Sequence, residues 1–375
     1  MKTTQKTTGK STTGLSASLF TIRRFSIIFI TTAIMLFSFN LYAGGQKEKA
    51  TGGKTTETTA KKITSIAVFV PGVVAGSPIY EQLVAGAKKA AQEEGNVTVK
   101  IVEGGFNQAE WPDKITSLVA TGQYGVLVTS NPAMPQICAN IASNFPKQKF
   151  LCMDGYLEGN PQIHTVLYNQ IEEGYLVGYL AGLVTKSKMK GATPDSKIGM
   201  IVGQHYPVLD KIIRPGFEKG IKASCPDATL DFRVVGNWYD ANKAAELANS
   251  MFSAGVDVIL PIAGGANQGV IKAAKDKGKY VVYFDSNGYN LAPGVILGCS
   301  ILRQEKATYE RVKAAIEGKL KYGEAEILGI KEGYVDFIDT DPLYKKSLPQ
   351  NIRDKMATML KEFRSGKKSF NVPKL

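Results

Sequence analysis

The chain has 375 residues, room for two domains with full cores, and its 44% hydrophobic and 21% charged content is that of an ordinary globular protein. The formal net charge is +13, but five of the cations precede residue 44 and the rest are scattered without an aromatic-interleaved Arg/Lys cluster, which reads as a solvated basic face and sets nucleic acid aside. Four cysteines without a CxxC pair, and only two histidines, set a zinc site aside.

The first 24 residues are rich in Thr and Lys and end in Arg23-Arg24; the apolar run FSIIFITTAIMLFSFNL and the small residues Ala43-Gly44-Gly45 follow. This is the order of a secretory signal, so residues 1–43 are expected to be a signal peptide cleaved after Ala43. The bulk of Leu41 leaves an uncleaved anchor as the other reading, and no Cys follows the run to accept a lipid. Residues 44–62, GGQKEKATGGKTTETTAKK, cannot bury enough apolar surface to fold and read as a tether. Export places the protein in the periplasm or at the cell surface, where a disulfide is allowed. Cys138 on a predicted helix and Cys152 on the next strand form the pair that could meet, although buried free thiols are the commoner outcome.

From residue 63 onward strands and helices alternate. Strands are predicted at 63–70, 97–102, 124–129, 150–153 and 164–168, with helices at 79–94 and 112–121 and a third ending near 144. A strongly apolar helix at 172–183 carries Gly174, Gly178 and Gly182, a spacing suited to close packing against a sheet. A second series has strands at 197–202, 229–235, 256–261, 280–284 and 295–299, and helices at 208–224, 241–254, 268–277 and 305–317. The tail holds a strand near 326–329, a mixed segment at 333–340 and a helix at 350–365. The stretch EGGFNQAEWPDKITSLVATGQYGVLVTSN is echoed some 130 residues later by VVGNWYDANKAAELANSMFSAGVDVILPIAGG. The expected fold is therefore α/β, two similar doubly wound parallel-sheet lobes with hinge crossings near 170, 288–300 and 325–330. Residues 63–169 plus about 289–325 form the first lobe, and 170–288 plus about 326–375 the second.

In open parallel sheets ligands bind at the C-terminal strand ends. In the first lobe those ends offer Ser77 and Tyr80, then Phe106, Asn107 and Gln108, then Asn131, Asp154 and Asn169. In the second they offer Gln204 and Tyr206, Trp238, Tyr239 and Asp240, the loop residues Gly264, Gly265 and Asn267, and Asp285 with Asn287; Arg303 is a lone cation nearby. Amides, aromatics and a few carboxylates suit a flat, neutral, hydroxylated ligand: rings stack on faces, and amides and carboxylates fix edges and hydroxyls. About half of these positions are expected to be turn formers or helix caps instead. No GxSxG or GxxxxGK occurs, and His205 with Asp210 is more often structural, so no catalytic residue is assigned.

The run PIAGGANQGVIKAAKDKGKYVVYFDSNGY resembles the basic membrane protein family of ABC-importer substrate-binding proteins, over roughly residues 63–337. Nucleoside binders of that family carry an acidic first loop, where this chain has PGVVAGSPIYEQ. VFVPGVVAGSPIYE, EGGFNQAEW, SNPAMPQIC, RVVGNWYDANKAAELA and YFDSNGY are more similar to its riboflavin-binding branch. The resemblance implies a type I periplasmic-binding-protein fold, riboflavin as a transported ligand rather than a cofactor, and a monomer that partners an inner-membrane ABC permease. It further implies that Asp285 and Asp154 bind ribityl or ribose hydroxyls and that Trp238 and Tyr80 flank the ring. Arg303 falls where nucleoside binders place a Lys.

Overall fold

The computed structural model describes residues 63–373. The expected signal peptide and tether lie outside those residues. The described chain builds two six-stranded sheets. Five strands open the first: β1 (Ser65–Val70), β2 (Thr98–Glu103), β3 (Val126–Ser130), β4 (Lys149–Met153) and β5 (Ile163–Tyr168). Five open the second: β6 (Lys197–Val202), β7 (Thr229–Val234), β8 (Val256–Ile262), β9 (Tyr280–Tyr283) and β10 (Ile296–Leu302). β11 (Ala325–Leu328) and β12 (Val335–Phe337) complete one sheet each. The orders β11-β5-β4-β3-β1-β2 and β12-β10-β9-β8-β6-β7 are the same pattern used twice. All pairings are parallel except β10 with β12. β3 and β8 are buried along their whole length, as continuous apolar runs covered on both faces should be.

The lobe boundaries differ from the sequence expectation. β10 pairs with β9, so the residues expected to return to the first lobe at 289 stay in the second as far as Leu302. The helix after it, α8 (Gln304–Ile316), lies on α1 (Pro78–Glu93) of the first lobe, and β11 pairs with β5. The segment returning to the first lobe is thus 304–328. The reason is the apolar ILGCSIL strand, which fills the position beside β9 before the chain is free to cross. Gly86 makes the α1–α8 approach possible, since a Cβ there would sit 2.9 Å from Thr308 Cβ. The three crossings are tied to one another: Asn169 N–H donates to Leu328 O at 2.8 Å and Arg303 N–H to Tyr334 O at 2.8 Å.

α4 (Gln170–Thr185) is almost wholly buried, as a helix apolar on every side requires. Its glycine face meets a helix, α5 (Arg214–Ser224), rather than a sheet. Gly174 lies under Ile213 O and Gly178 under the Phe217 carbonyl, while Gly216 and Gly220 on α5 lie under the Ile171 and Tyr175 carbonyls. The helix expected at 208–224 opens as a π turn at Leu209–Ile213. Pro215 has no N–H to close an α turn, and the wider turn precedes it. The tail holds a short helix the sequence reading missed, α9 (Pro342–Ser347), started by Asp341, whose carboxylate accepts from Leu343 N–H at 2.8 Å. α10 (Gln350–Arg364) then covers the second lobe. All four cysteines are buried free thiols, with Cys138 and Cys152 side by side. No described helix is long and apolar enough to cross a membrane.

Candidate functional site

Asp154 and Asp285 follow β4 and β9, which hold the same place in the two sheets. Both are in the left-handed region, with φ of 54° and 66°. A side-chain-bearing residue there is strained, and such strain gathers at working sites. Each carboxylate keeps one oxygen, Oδ1, that is out of water and without a hydrogen-bond partner. The two are near enough that Asp285 raises Asp154 further, after loss of water has already lifted it well above the ordinary carboxyl range. Burial lifts Asp285 to about 7. The lobes therefore meet across a pair of carboxylates brought in by equivalent strand ends.

Aromatic side chains wall this pair from both sides. Tyr80, on the first turn of α1, donates its hydroxyl to Pro71 O at 3.1 Å and lies in reach of Asn131 and Asp154. Trp238 lies flat against Gly203, where a Cβ would come within 2.6 Å of the indole, and its Nε1–H donates to Gln204 Oε1 at 3.1 Å. Tyr206 is 5.9 Å from Trp238 between ring centroids and within electrostatic reach of Asp154, Asp285 and Tyr80. At the mouth Phe106 of the first lobe meets Tyr239 of the second at 5.6 Å, with 50% and 62% of their surfaces exposed. The lobes are closed to the point of ring contact.

Other expected residues have local duties. Asn107 caps the 3-10 turn after β2, accepting from Ala109 N–H at 3.3 Å, and Gln108 stands exposed on that turn. Asp240 caps α6 (Ala241–Ser253), accepting from Lys243 N–H at 2.9 Å. Ser77 heads α1 without a side-chain capping bond. Asn131 also closes its own turn by accepting from Ala133 N–H at 2.9 Å. Gly264 and Gly265 form a 3-10 turn against the Trp238 carbonyl, and Asn267 pins that loop by accepting from Ala263 N–H at 2.8 Å.

Three expected residues are held by protein partners near the hinge or at the surface. Asn169 is a hinge residue whose amide donates to Phe370 O at 2.7 Å. Asn287 is exposed, and its amide donates to Asp341 Oδ2 at 3.1 Å. Arg303 is exposed beside the hinge and pairs with Asp336 at 3.5 Å. His205 Nδ1–H donates to Asp210 Oδ1 at 3.0 Å on the surface, a local tie.

The sequence reading missed four residues. Tyr168, fully buried at the end of β5, has an unpartnered hydroxyl and feels Asp154 and Asp285. Glu173, fully buried on the first turn of α4, accepts from Asp285 N–H at 3.1 Å through Oε1 and has Oε2 unpartnered. Gln82 links the lobes: its Oε1 accepts from Gln304 N–H at 3.1 Å and its Nε2 donates to Asp285 O at 3.5 Å. Gln304 accepts from Ser130 Oγ–H at 3.2 Å and donates to Ile79 O at 2.7 Å. Nothing local marked Glu173, since an acid in the first turn of a helix is an ordinary partner of the helix dipole. Among the described residues, no group of three His, Cys, Asp or Glu side chains is arranged to hold a metal ion. The separate cavities beside Lys219 (about 550 Å³) and beside Arg311 (about 400 Å³) lie on outer faces.

Two parallel-sheet lobes joined by three crossings, with polar and aromatic side chains meeting between them, make up the type I periplasmic-binding-protein fold. The solved structure of an ABC transporter solute-binding protein from Aeropyrum pernix K1 superposes with a TM-score of 0.71, at 20% identity over 83% of this chain and 94% of that one. A transcriptional activator of the comK gene from Bacillus halodurans superposes at 0.63, with 21% identity over 82% of this chain and 100% of that one, so the fold is shared by proteins of different employment. The chain belongs to the Bmp family, described as ABC transporter substrate-binding protein PnrA-like, whose profile matches residues 63–369. Among its relatives, "Basic membrane protein D" of Borreliella burgdorferi is 28% identical over 49% of this chain and 54% of that protein. "ABC transporter nucleoside-binding protein BmpA" of Lactococcus lactis is 30% identical over 36% of each. The chain spans about half the length, or less, of these relatives.

Proposed function

We propose that this protein is the exported receptor of an ABC importer, closing its two lobes on riboflavin and presenting it to a membrane permease. The observation that carries the reading is the Asp154–Asp285 pair with a free buried oxygen on each, set between aromatic walls from both lobes. Carboxylates accept from vicinal hydroxyls and aromatic faces stack on a flat heterocycle, so a ring carrying a hydroxylated chain satisfies both halves of the cleft. The resemblance of the first loop and the Trp238 loop to the riboflavin-binding branch favours an isoalloxazine ring over a purine. Lobe closure is a population shift driven by contacts made to both lobes at once. A receptor of this kind is expected to release its ligand unaltered.

Visible absorbance and flavin fluorescence of the mature chain, before and after adding riboflavin, test this. A yellow preparation or stoichiometric quenching is the expected result, with the ligand recovered intact. A colourless protein that leaves flavin fluorescence unchanged overturns it. The second reading, a purine nucleoside receptor, is favoured by the name of the Lactococcus relative; calorimetry with guanosine, inosine and adenosine decides it.

A further inference from the structure

Three carboxyl groups converge in the cleft: Asp154 and Asp285 at the two strand ends and Glu173 behind them on α4. The side chains within electrostatic reach of Glu173 or of the two aspartates include Tyr80, Tyr168, Tyr206, Tyr283 and, next to Glu173, Ser300; among those named, none is cationic. Arg311 is felt by Tyr168, but is itself bound to Glu326 at 2.6 Å and to Tyr334. Each of the three carboxyls has one buried oxygen without a partner. Three full charges packed so closely would repel. Glu173 has the Asp285 N–H and the Ser300 hydroxyl as donors, which favour its charged form, but its loss of water and the nearby carboxylates outweigh them. Each buried oxygen left without a donor is costly as part of a carboxylate.

The backbone of Asp285 adds a second observation. Its left-handed conformation is held by three bonds: its N–H donates to Glu173 Oε1 at 3.1 Å, and its carbonyl accepts from Leu302 N–H at 3.2 Å and from Gln82 Nε2 at 3.5 Å. Glu173 is the one side chain among these from the same lobe.

We propose that Glu173 is a positioning residue of the ligand site, working as the neutral acid: Oε1 braces the strained backbone of Asp285, and the proton on Oε2 supplies the donor that the crowded acceptors of the cleft lack. Protonation here leaves the two aspartates as the acceptors for ligand hydroxyls and fixes how Asp285 is aimed. Loss of water, followed by the nearby Asp285, pushes the Glu173 carboxyl well above the ordinary range, in agreement with that role. The inference deepens the reading of the cleft as the ligand site and rests on it for its binding arm alone.

The test uses the whole mature chain and its Glu173→Gln and Glu173→Ala variants. Infrared difference spectra read the C=O stretch of a protonated carboxyl; riboflavin and guanosine titrations read the site. The wild type is expected to show the protonated-acid band at neutral pH and Glu173→Gln to lose it. Glu173→Ala is expected to bind about tenfold more weakly or worse, as loss of a buried brace predicts, and Glu173→Gln to recover most of that loss, because an amide keeps both one acceptor and one donor. A band untouched by Glu173→Gln overturns the neutral-acid role. Binding that falls equally in both variants, or that stays at the wild-type level in Glu173→Ala, overturns the positioning role. If the wild type binds neither ligand, the functional reading has failed, and the infrared comparison still decides the protonation of Glu173. Should Glu173→Ala fail to fold, the Gln variant carries both readouts.

Discussion

At the level of single residues the site divides into stacking and charge. Trp238 presses on Gly203 and is oriented by Gln204, so it is fixed before a ligand arrives. Trp238→Ala should weaken riboflavin binding by about 1–3 kcal/mol, roughly five- to 150-fold, with Trp238→Phe in between; fluorescence titration measures it. Charge sets a pH dependence. In the closed cleft Asp154, Asp285 and Glu173 titrate above their ordinary range, Asp285 at about 7, whereas in an open cleft the carboxyls that regain water return towards about 4. Closing therefore takes up protons between those values: the closed form has its full advantage at low pH and loses it as pH rises through about 7. Affinity should fall from about pH 5 to about pH 8, and Asp154→Asn should flatten the fall. Affinity that climbs over this range would contradict the opposed carboxylates. Asp154 and Asp285 were legible in the sequence because each follows an apolar strand at a predictable turn, and Trp238 because it is a large aromatic in a strand-to-helix loop. Glu173 and Gln82 were not, since they reach the cleft from helices and their partners are more than a hundred residues away.

Elements were legible where one pattern ruled. The repeated strand–helix units stood out through their β-branched runs and glycine stops, and their bounds came within a few residues. The pairing partner of an isolated strand was harder to read: nothing local in ILGCSIL says that it sits beside β9 rather than across the hinge, because a short apolar run fits either sheet. The glycine spacing of α4 announced a close approach without saying to what. Its partner is α5, and the contact is backbone against backbone. Gly178→Leu should force the two helices apart at the Phe217 carbonyl and destabilise the second lobe by about 1–3 kcal/mol, despite the better helix propensity of Leu. A urea midpoint that holds or rises would show that the helices can slide to accept the side chain. The π turn and α9 escaped notice because each is set by one proline or one capping aspartate within a longer polar stretch.

The whole molecule turns on its hinge. The C-terminal tail lies across it: Phe370 N–H donates to Glu172 Oε1 at 3.3 Å, the Phe370 carbonyl accepts from Asn169, and Glu172 Oε2 accepts from Ile330 N–H at 2.9 Å. Phe370 also packs on Tyr175 at 5.1 Å and on Phe363 at 5.7 Å. Removing the chain beyond Ser365 frees two of the three crossings from this strap. The expected result is a larger radius of gyration by small-angle scattering and several-fold weaker binding, with the cleft side chains untouched; an unchanged radius and affinity would make the strap a passive cover. The weaving of the chain also has a consequence for the order of synthesis. The first sheet is not finished when its first five strands have emerged, because its edge partner β11 and its covering helix α8 come after almost all of the second lobe. Until residue 328 leaves the ribosome, β5 is an open edge and the outer face of α1 lacks its neighbour. A nascent chain in that condition invites pairing with other strands. For a receptor exported as proposed, the same delay would keep the first lobe from locking shut ahead of the second.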